Sequence, residues 1–293
     1  MATLRDILLK IDAVKKTRQI TKAMNMVAAA KLRGAQMRAE NFHPYATKFS
    51  EILSDLLRRI DPDTHPLLIK KKEVSRFDLL HFSGDRGLCG SFNTNLINTA
   101  KKWLDDQQAN GIECSLTTVG KKGKDYFSKR DYNVITSHTN IYGKIDTSFI
   151  DQMTKIFIGR YMTDKVDEVY VIYSRFISMG KQEPTLIKLI PIEPEQNKDE
   201  QAELGAIDHL CEPDPEKLLA ELLPKYISVQ ILNALLQNET SEHAARMSSM
   251  DNASKNCNEL IENLTLVYNK ARQAAITAEL MDIVGGAEAL KKA

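Results

Sequence analysis

Residues Met250–Met281 read MDNASKNCNELIENLTLVYNKARQAAITAELM. The apolar positions are Met250, Ala253, Cys257, Leu260, Leu264, Val267, Ala271, Ala274, Ala278 and Met281, and the steps between them alternate three and four. That alternation is the a/d seam of a helix that supercoils against another helix. No partner lies next door in sequence. A comparable stripe stands at the opposite end of the chain: Leu4, Ile7, Ile11 and Val14, a polar stretch at Thr17, Arg18 and Thr21, then Met24, Val27, Ala28, Leu32 and Ala35. A chain that closes its two ends into one pair of helices suits a shaft, a lever or a tether.

Working inward, three regions separate: a helical one over 1–60, a middle one over 70–195, and a helical one over 210–293. Pro44 is expected to kink or interrupt the first, and Asp61-Pro62 with His65-Pro66 to close it. In the middle region the period changes. Phe77–Phe82 is a short apolar run before glycines, and Cys114–Val119 and Tyr132–Thr136 read as further strands. Glu168–Phe176 is the strongest, rich in β-branched and aromatic residues, and Pro184–Ile192 reads as an edge strand. Helical stretches at 94–109, 121–129 and 147–162 fall between them. Strand and helix alternate, so the expectation is a mostly parallel sheet wrapped by helices. The third region opens at Asp214-Pro215, a capping residue followed by proline. Some seventy helical residues would span on the order of 100 Å. Pro224 should kink it and Gly285-Gly286 should fray its end.

The chain has 293 residues, 43% hydrophobic and 27% charged, with a net charge of +1. That composition supports a sizeable core and gives no global case for nucleic acid. The charge is uneven. Residues 1–38 carry nine Lys/Arg against Asp6 and Asp12, a net of +7, which calls for an acidic, phosphate or membrane-surface partner. The four cysteines, Cys89, Cys114, Cys211 and Cys257, form no close pair and lie near no metal-type histidine spacing, so they read as reduced thiols. No apolar run approaches the ~18–20 residues that cross a bilayer. Asp6 and Asp12 argue against a transit peptide.

Ser83-Gly84-Asp85-Arg86-Gly87-Leu88-Cys89-Gly90 follows the first strand and precedes a helix, where dinucleotide folds place phosphate-cradling glycines. Its spacing is G-x-x-G-x-x-G, which matches neither G-x-G-x-x-G nor G-x-x-x-x-G-K-[ST]. The plainer reading is a tight strand-to-helix loop that needs glycine. A Cys89 nucleophile would need a positioned base; His81 sits on the strand, directed inward. Along the last helix, amides and small residues dominate 268–280, a face suited to close enclosure by other protein.

Three stretches together resemble one family. Ile20–Arg33, ITKAMNMVAAAKLR, is similar to the N-terminal signature of the gamma subunits of F-type ATP synthases. Arg246-Met247, Met250–Ala253, Leu266–Thr277 (LVYNKARQAAIT), Glu279-Leu280 and Ile283–Gly286 resemble their C-terminal signature. The Asp85–Gly90 loop, with Asn93 and Asn95 behind it, also matches. The likeness runs in order from Leu4 to Ala289. It implies an α/β protein: a long antiparallel coiled coil of the N- and C-terminal helices plus a central Rossmann-like α/β domain.

The resemblance further implies a central rotor stalk. Such a stalk transmits torque between an ion-driven membrane c-ring and the alpha/beta hexamer, with the epsilon subunit at its foot. Catalysis would reside on the beta subunits, so this chain would have no catalytic site, cofactor or metal of its own. It would lie on the cytoplasmic face of a bacterial inner membrane. Met24, Arg246, Arg272, Gln273 and Thr277 match positions that engage the hexamer, and Asp85, Arg86, Gly87 and Gly90 match the foot-domain loop. Tyr142 and the strands near 168–192 are candidates for epsilon contacts. Asn25 departs from the charged residue many members carry, and the redox-active cysteine pair of chloroplast members is missing. Two other classes stay open: a nucleotide-dependent enzyme using the glycine loop, and a generic coiled-coil tether.

Overall fold

A computed structural model of the chain describes residues 3–58, 60–71, 73–143, 145–193 and 215–292. Helix α1 is Leu4–Leu57 and helix α5 is Pro215–Lys292, 54 and 78 residues long. The start of α1 is a reciprocal cap: the Thr3 amide donates to Asp6 Oδ2 (2.9 Å), and the Asp6 amide donates to Thr3 Oγ1 (3.3 Å). Two otherwise orphaned donors are satisfied together.

Both internal prolines are tolerated. Pro44 was expected to kink or interrupt α1, yet the helix runs through it, as α5 runs through Pro224. Each proline orphans the carbonyl four residues earlier. Those carbonyls belong to Glu40 and Ala220, both exposed residues, so solvent is at hand for what the missing N–H cannot satisfy. Gly285 and Gly286 do not fray α5 either; it continues to Lys292. Neither glycine takes the positive φ of a helix cap. Their propensity cost alone does not stop a helix that is already propagating.

The chain divides into two compact units whose boundaries fall inside the long helices. One is Met1–Ala29 with Arg246–Ala293; the other is Ala30–Ala245.

In the second unit the elements run β1 (Arg76–Phe82), α2 (Phe92–Ala109), β2 (Glu113–Val119), α3 (Lys121–Phe127), β3 (Asn133–His138), α4 (Thr147–Met162), β4 (Glu168–Ser178) and β5 (Lys181–Ile190). The sheet order is β3-β2-β1-β4-β5. The first four strands are parallel, and β5 pairs antiparallel with β4 at the edge. Strand order reverses between β1 and β4, so the loop after β1 opens at the switch point of a Rossmann-like sheet. The pleat sorts side chains to two cores. Leu80 and Phe82 join Phe149, Met153 and Phe157 of α4 and Leu223, Ile227 and Leu235 of α5. Phe77 and Leu79 join Leu96, Ala100 and Leu104 of α2 and Phe127 of α3.

In the first unit the two helices pair antiparallel. Arg18 Nη1 donates to Asn258 Oδ1 (2.9 Å), and Asn25 Nδ2 donates to the Met247 carbonyl (2.9 Å), so rising numbers on α1 meet falling numbers on α5. On α1 the inward positions are Leu4, Ile7, Ile11, Val14, Arg18, Thr21, Asn25 and Ala28, an unbroken three/four alternation. On α5 they are Met250, Ala253, Cys257, Ile261, Leu264, Tyr268, Ala271 and Ala275. Leu260 and Val267, expected on the seam, are 43% and 52% exposed, and Ala274 is exposed as well. The cause is helical twist. An α-helix of 3.6 residues per turn drifts ~20° per heptad against a strict 3.5 repeat. After Cys257 the inward face therefore falls one position later.

Candidate functional site

The polar stretch in α1 turns out to occupy the seam. Thr21 is 9% exposed, and its hydroxyl donates back to the Arg18 carbonyl (3.0 Å). Arg18, Lys22, Asn25, Asp251, Ser254 and Asn258 line a groove of about 500 Å³ between the two helices. Polar groups at a heptad seam cost stability and fix register, because slipped pairings leave them unsatisfied. Met24 is half-buried beside this segment, and the Asn25–Met247 bond sets it level with the half-buried Arg246.

Arg272, Gln273 and Thr277 are exposed on α5, and the Thr277 hydroxyl caps the Gln273 carbonyl (2.9 Å). They lie about 40 Å along the helix from Arg246. The predicted contact residues therefore form two stations, Met24 with Arg246 and then Arg272 with Gln273 and Thr277. The seam ends within the second station: Ala275 is its last half-buried position, and from Ile276 to Ala287 every residue is exposed. That span still carries Ile276, Leu280, Met281, Ile283 and Val284.

In the second unit the loop 83–90 is tied to its surroundings by hydrogen bonds from several directions. The Gly84 amide donates to Asn93 Oδ1 (2.8 Å), and Asn93 Nδ2 donates to the Arg86 carbonyl (3.2 Å). The Asp85 carboxylate accepts from the amides of Lys121 (2.9 Å) and Asn140 (3.0 Å), while Ser83 Oγ accepts from the Gly123 amide (2.8 Å). The amides at the start of α3 are thus taken by side chains of this loop, which fastens the loop to α3. Gly90 has φ +57, the left-handed region. A Cβ on Gly84 would sit 2.9 Å from Glu242 Cδ, so glycine there is a matter of close approach. Arg86 is exposed and Gly87 half-buried. The loop's geometry supports the tight structural turn over a phosphate cradle.

His81 and Cys89 do not form a catalytic pair. His81 is fully buried with both ring nitrogens lacking a partner, while Cys89 Sγ contacts Asn93 Nδ2 (3.1 Å). Burial pulls the His81 imidazole down to about 4. Burial also pushes the Cys114 thiol up to about 11, away from reactivity. Cys257 is half-buried and Cys211 lies outside the described residues. Among the described residues no three His, Cys, Asp or Glu side chains gather as a metal site.

Tyr142 does not offer its hydroxyl outward. It donates to the Ser83 carbonyl (2.7 Å) and accepts from Asn238 Nδ2 (2.8 Å). The residues Asn238–His243 are six consecutive polar side chains, each no more than 8% exposed. Sequence reasoning passed over them. The available signal was polar residues standing where a helix inside a core should be apolar.

The chain's relatives agree with the architecture. The family model described as ATP synthase matches residues 3–290. An "ATP synthase gamma chain" of Syntrophobacter fumaroxidans is 54% identical over 293 residues, covering 100% of both chains. One from Nitratidesulfovibrio vulgaris is 48% identical, covering 99% of this chain and 100% of that one. Among solved structures, a chain of the Euglena gracilis mitochondrial ATP synthase (OSCP/F1/c-ring) aligns at a TM-score of 0.66 and 23% identity, over 98% of this chain and 94% of that one. A chain of the Tetrahymena thermophila central stalk/c-ring structure aligns at 0.59 and 24%, over 80% and 99%. At those identities the solved structures speak for the fold, while the sequence relatives speak for the family. The chain belongs to the ATP synthase gamma-chain family.

Proposed function

We propose that this chain is the central rotor stalk of an F-type ATP synthase, carrying torque between a membrane c-ring and a catalytic alpha/beta hexamer. The observation that carries the reading is the end of the seam. Up to Ala275 the two helices shield one another; beyond it no other described residue covers α5, and Ile276, Leu280, Met281, Ile283 and Val284 are exposed. A lone helix with an apolar surface calls for enclosure by other protein. The amide-rich face around Gln273 and Thr277 suits turning inside such a sleeve, since strong ion pairs would trap one angle.

Met24 and Arg246 form the lower station, where the basic α1 meets acidic loops of the beta subunits. Arg272, Gln273 and Thr277 form the upper station. Asp85, Arg86, Gly87 and Gly90 build the foot-domain loop, and β5, the edge strand of the sheet, is the side offered to the epsilon subunit. The chain supports catalysis without performing it: in the loop after β1 the Gly84 amide is bound to Asn93, and the loop's glycines follow neither phosphate-binding spacing. No helix among the described residues is long and apolar enough to cross a membrane. The c-ring would hold the chain peripherally, at the cytoplasmic face of a bacterial inner membrane.

The decisive experiment is co-purification with alpha and beta subunits from membranes, then single-molecule observation of a probe on the α/β unit. Stepwise rotation driven by ATP is expected. A chain that leaves the membranes alone and binds ATP at micromolar affinity would instead support the nucleotide-dependent enzyme.

A further inference from the structure

Strand β4 outlives its partner. β1 pairs with it only as far as His81–Ile172, whereas β5 accompanies it from Val169 to Ser178. Opposite Ser174 on β5 stands Pro184, which has no N–H to give. An antiparallel pair tolerates proline where the two residues exchange no backbone bonds, so the N–H and C=O of Ser174 point to the other edge. Phe176, two residues on, points the same way.

That vacated edge is filled by α5. The Ser174 amide donates to Asn238 Oδ1 (3.1 Å), the Ser174 carbonyl accepts from Ser241 Oγ (3.0 Å), and the Phe176 amide donates to Gln237 Oε1 (3.1 Å). Three side chains of one helix turn thus continue the ladder that β1 abandons. Asn238 also donates to Tyr142 Oη, which in turn donates to the Ser83 carbonyl in the loop after β1. Asn238 and Ser241 are fully buried.

We propose that Gln237, Asn238 and Ser241 are positioning residues of a torque clamp that locks α5 to the sheet against tangential sliding. The proposal rests on reading the chain as a rotor stalk. Earlier on the same helix, Leu223, Ile227 and Leu235 pack into the apolar core. Apolar packing has no preferred direction, whereas a hydrogen bond weakens steeply once its angle falls below about 120°. Torque applied to the α/β unit therefore reaches α5 stiffly through these bonds and softly through the apolar contacts.

The test uses the assembled complex, with the hexamer immobilised and stalled and a probe on the α/β unit. The width of the probe's angular fluctuation gives the torsional stiffness. Asn238→Ala removes the central bond, and Gln237→Ala removes only the bond to Phe176 from a partly exposed residue, so one variant folds even if the other does not. Leu223→Ala is the control, an apolar truncation on the same helix. Stiffness is expected to fall about twofold in Asn238→Ala and by less in Gln237→Ala, in step with the directional bonds lost. Leu223→Ala should leave stiffness near wild type while lowering the melting temperature. Unchanged stiffness in both clamp variants, or equal softening in Leu223→Ala, overturns the clamp. A wild-type probe that never rotates when the complex is released refutes the stalk reading instead.

Discussion

Arg160 holds Asp78 with both arms of its guanidinium, Nε to Oδ2 at 2.6 Å and Nη2 to Oδ1 at 2.9 Å. Asp78 lies on β1 with its side chain 2% exposed, and Arg160 on α4 at 24%. Burial pushes the Asp78 carboxyl up, and the guanidinium works against that rise. Removing the arginine strands a charge, whereas replacing both partners removes the problem. Arg160→Met should cost about 3–5 kcal/mol of stability, and Asp78→Leu with Arg160→Met considerably less. Denaturant unfolding of the chain and both variants checks this; a double variant as weak as the single one would contradict it.

His81 makes stability depend on mild acid. Its folded pKa is about 4 against the ordinary 6.5, because burial disfavours the imidazolium. Between those values the unfolded chain binds a proton that the folded chain refuses. The contribution is complete above pH 6.5 and fades as pH falls toward 4, by on the order of 3 kcal/mol. Its ring nitrogens have no partners to lose, so His81→Leu should fold at pH 7.5 and keep more of its melting temperature at pH 5 than the wild type. Parallel losses in the two proteins between pH 7.5 and pH 5 would show that some other group is responsible.

Much of this was written locally. The three/four alternation announced both long helices, and β-branched clusters announced the strands. What stayed hidden depends on things one segment does not contain. The inward face shifts from Leu260 to Ile261 because helical twist accumulates against the repeat. Pro44 and Pro224 leave their helices intact where Glu40 and Ala220, four residues earlier, are exposed residues, which is a tertiary fact. The glycine loop was visible, but its role as a closed turn is set by Lys121, Gly123 and Asn140, distant in sequence. Asn238 and Ser241 drew no reading from the sequence, because their reason, the edge of β4 beyond Ile172, lies in another element.

Met24 offers a functional test of the lower station. It is half-buried, level with Arg246, with exposed Lys22 two residues before it and exposed Ile20, Met26 and Val27 around it on α1. Met24→Lys adds a flexible ammonium where acidic loops of the beta subunits are proposed to pass. A new charge-assisted bond of about 2 kcal/mol in one rotary position slows departure from it by on the order of tenfold. ATP hydrolysis by the assembled complex should fall, and salt should restore part of it by screening. Unchanged hydrolysis in Met24→Lys would remove this residue from the contact.

Asn25 tests the seam itself. Its amide donates to the Met247 carbonyl at 2.9 Å, from a position where the heptad would take an apolar residue. A polar residue at such a position trades stability for register. Asn25→Leu should therefore raise the melting temperature of the chain, or leave it unchanged, while loosening the pairing of Arg18 with Asn258 one turn and more away. Disulfide trapping between Arg18→Cys and Asn258→Cys, in a chain freed of its native cysteines, reads the register. The cross-link is expected to form readily with Asn25 in place and less completely, alongside neighbouring pairings, in Asn25→Leu. A lower melting temperature with undiminished cross-linking would mean that Asn25 stabilises the seam without specifying it.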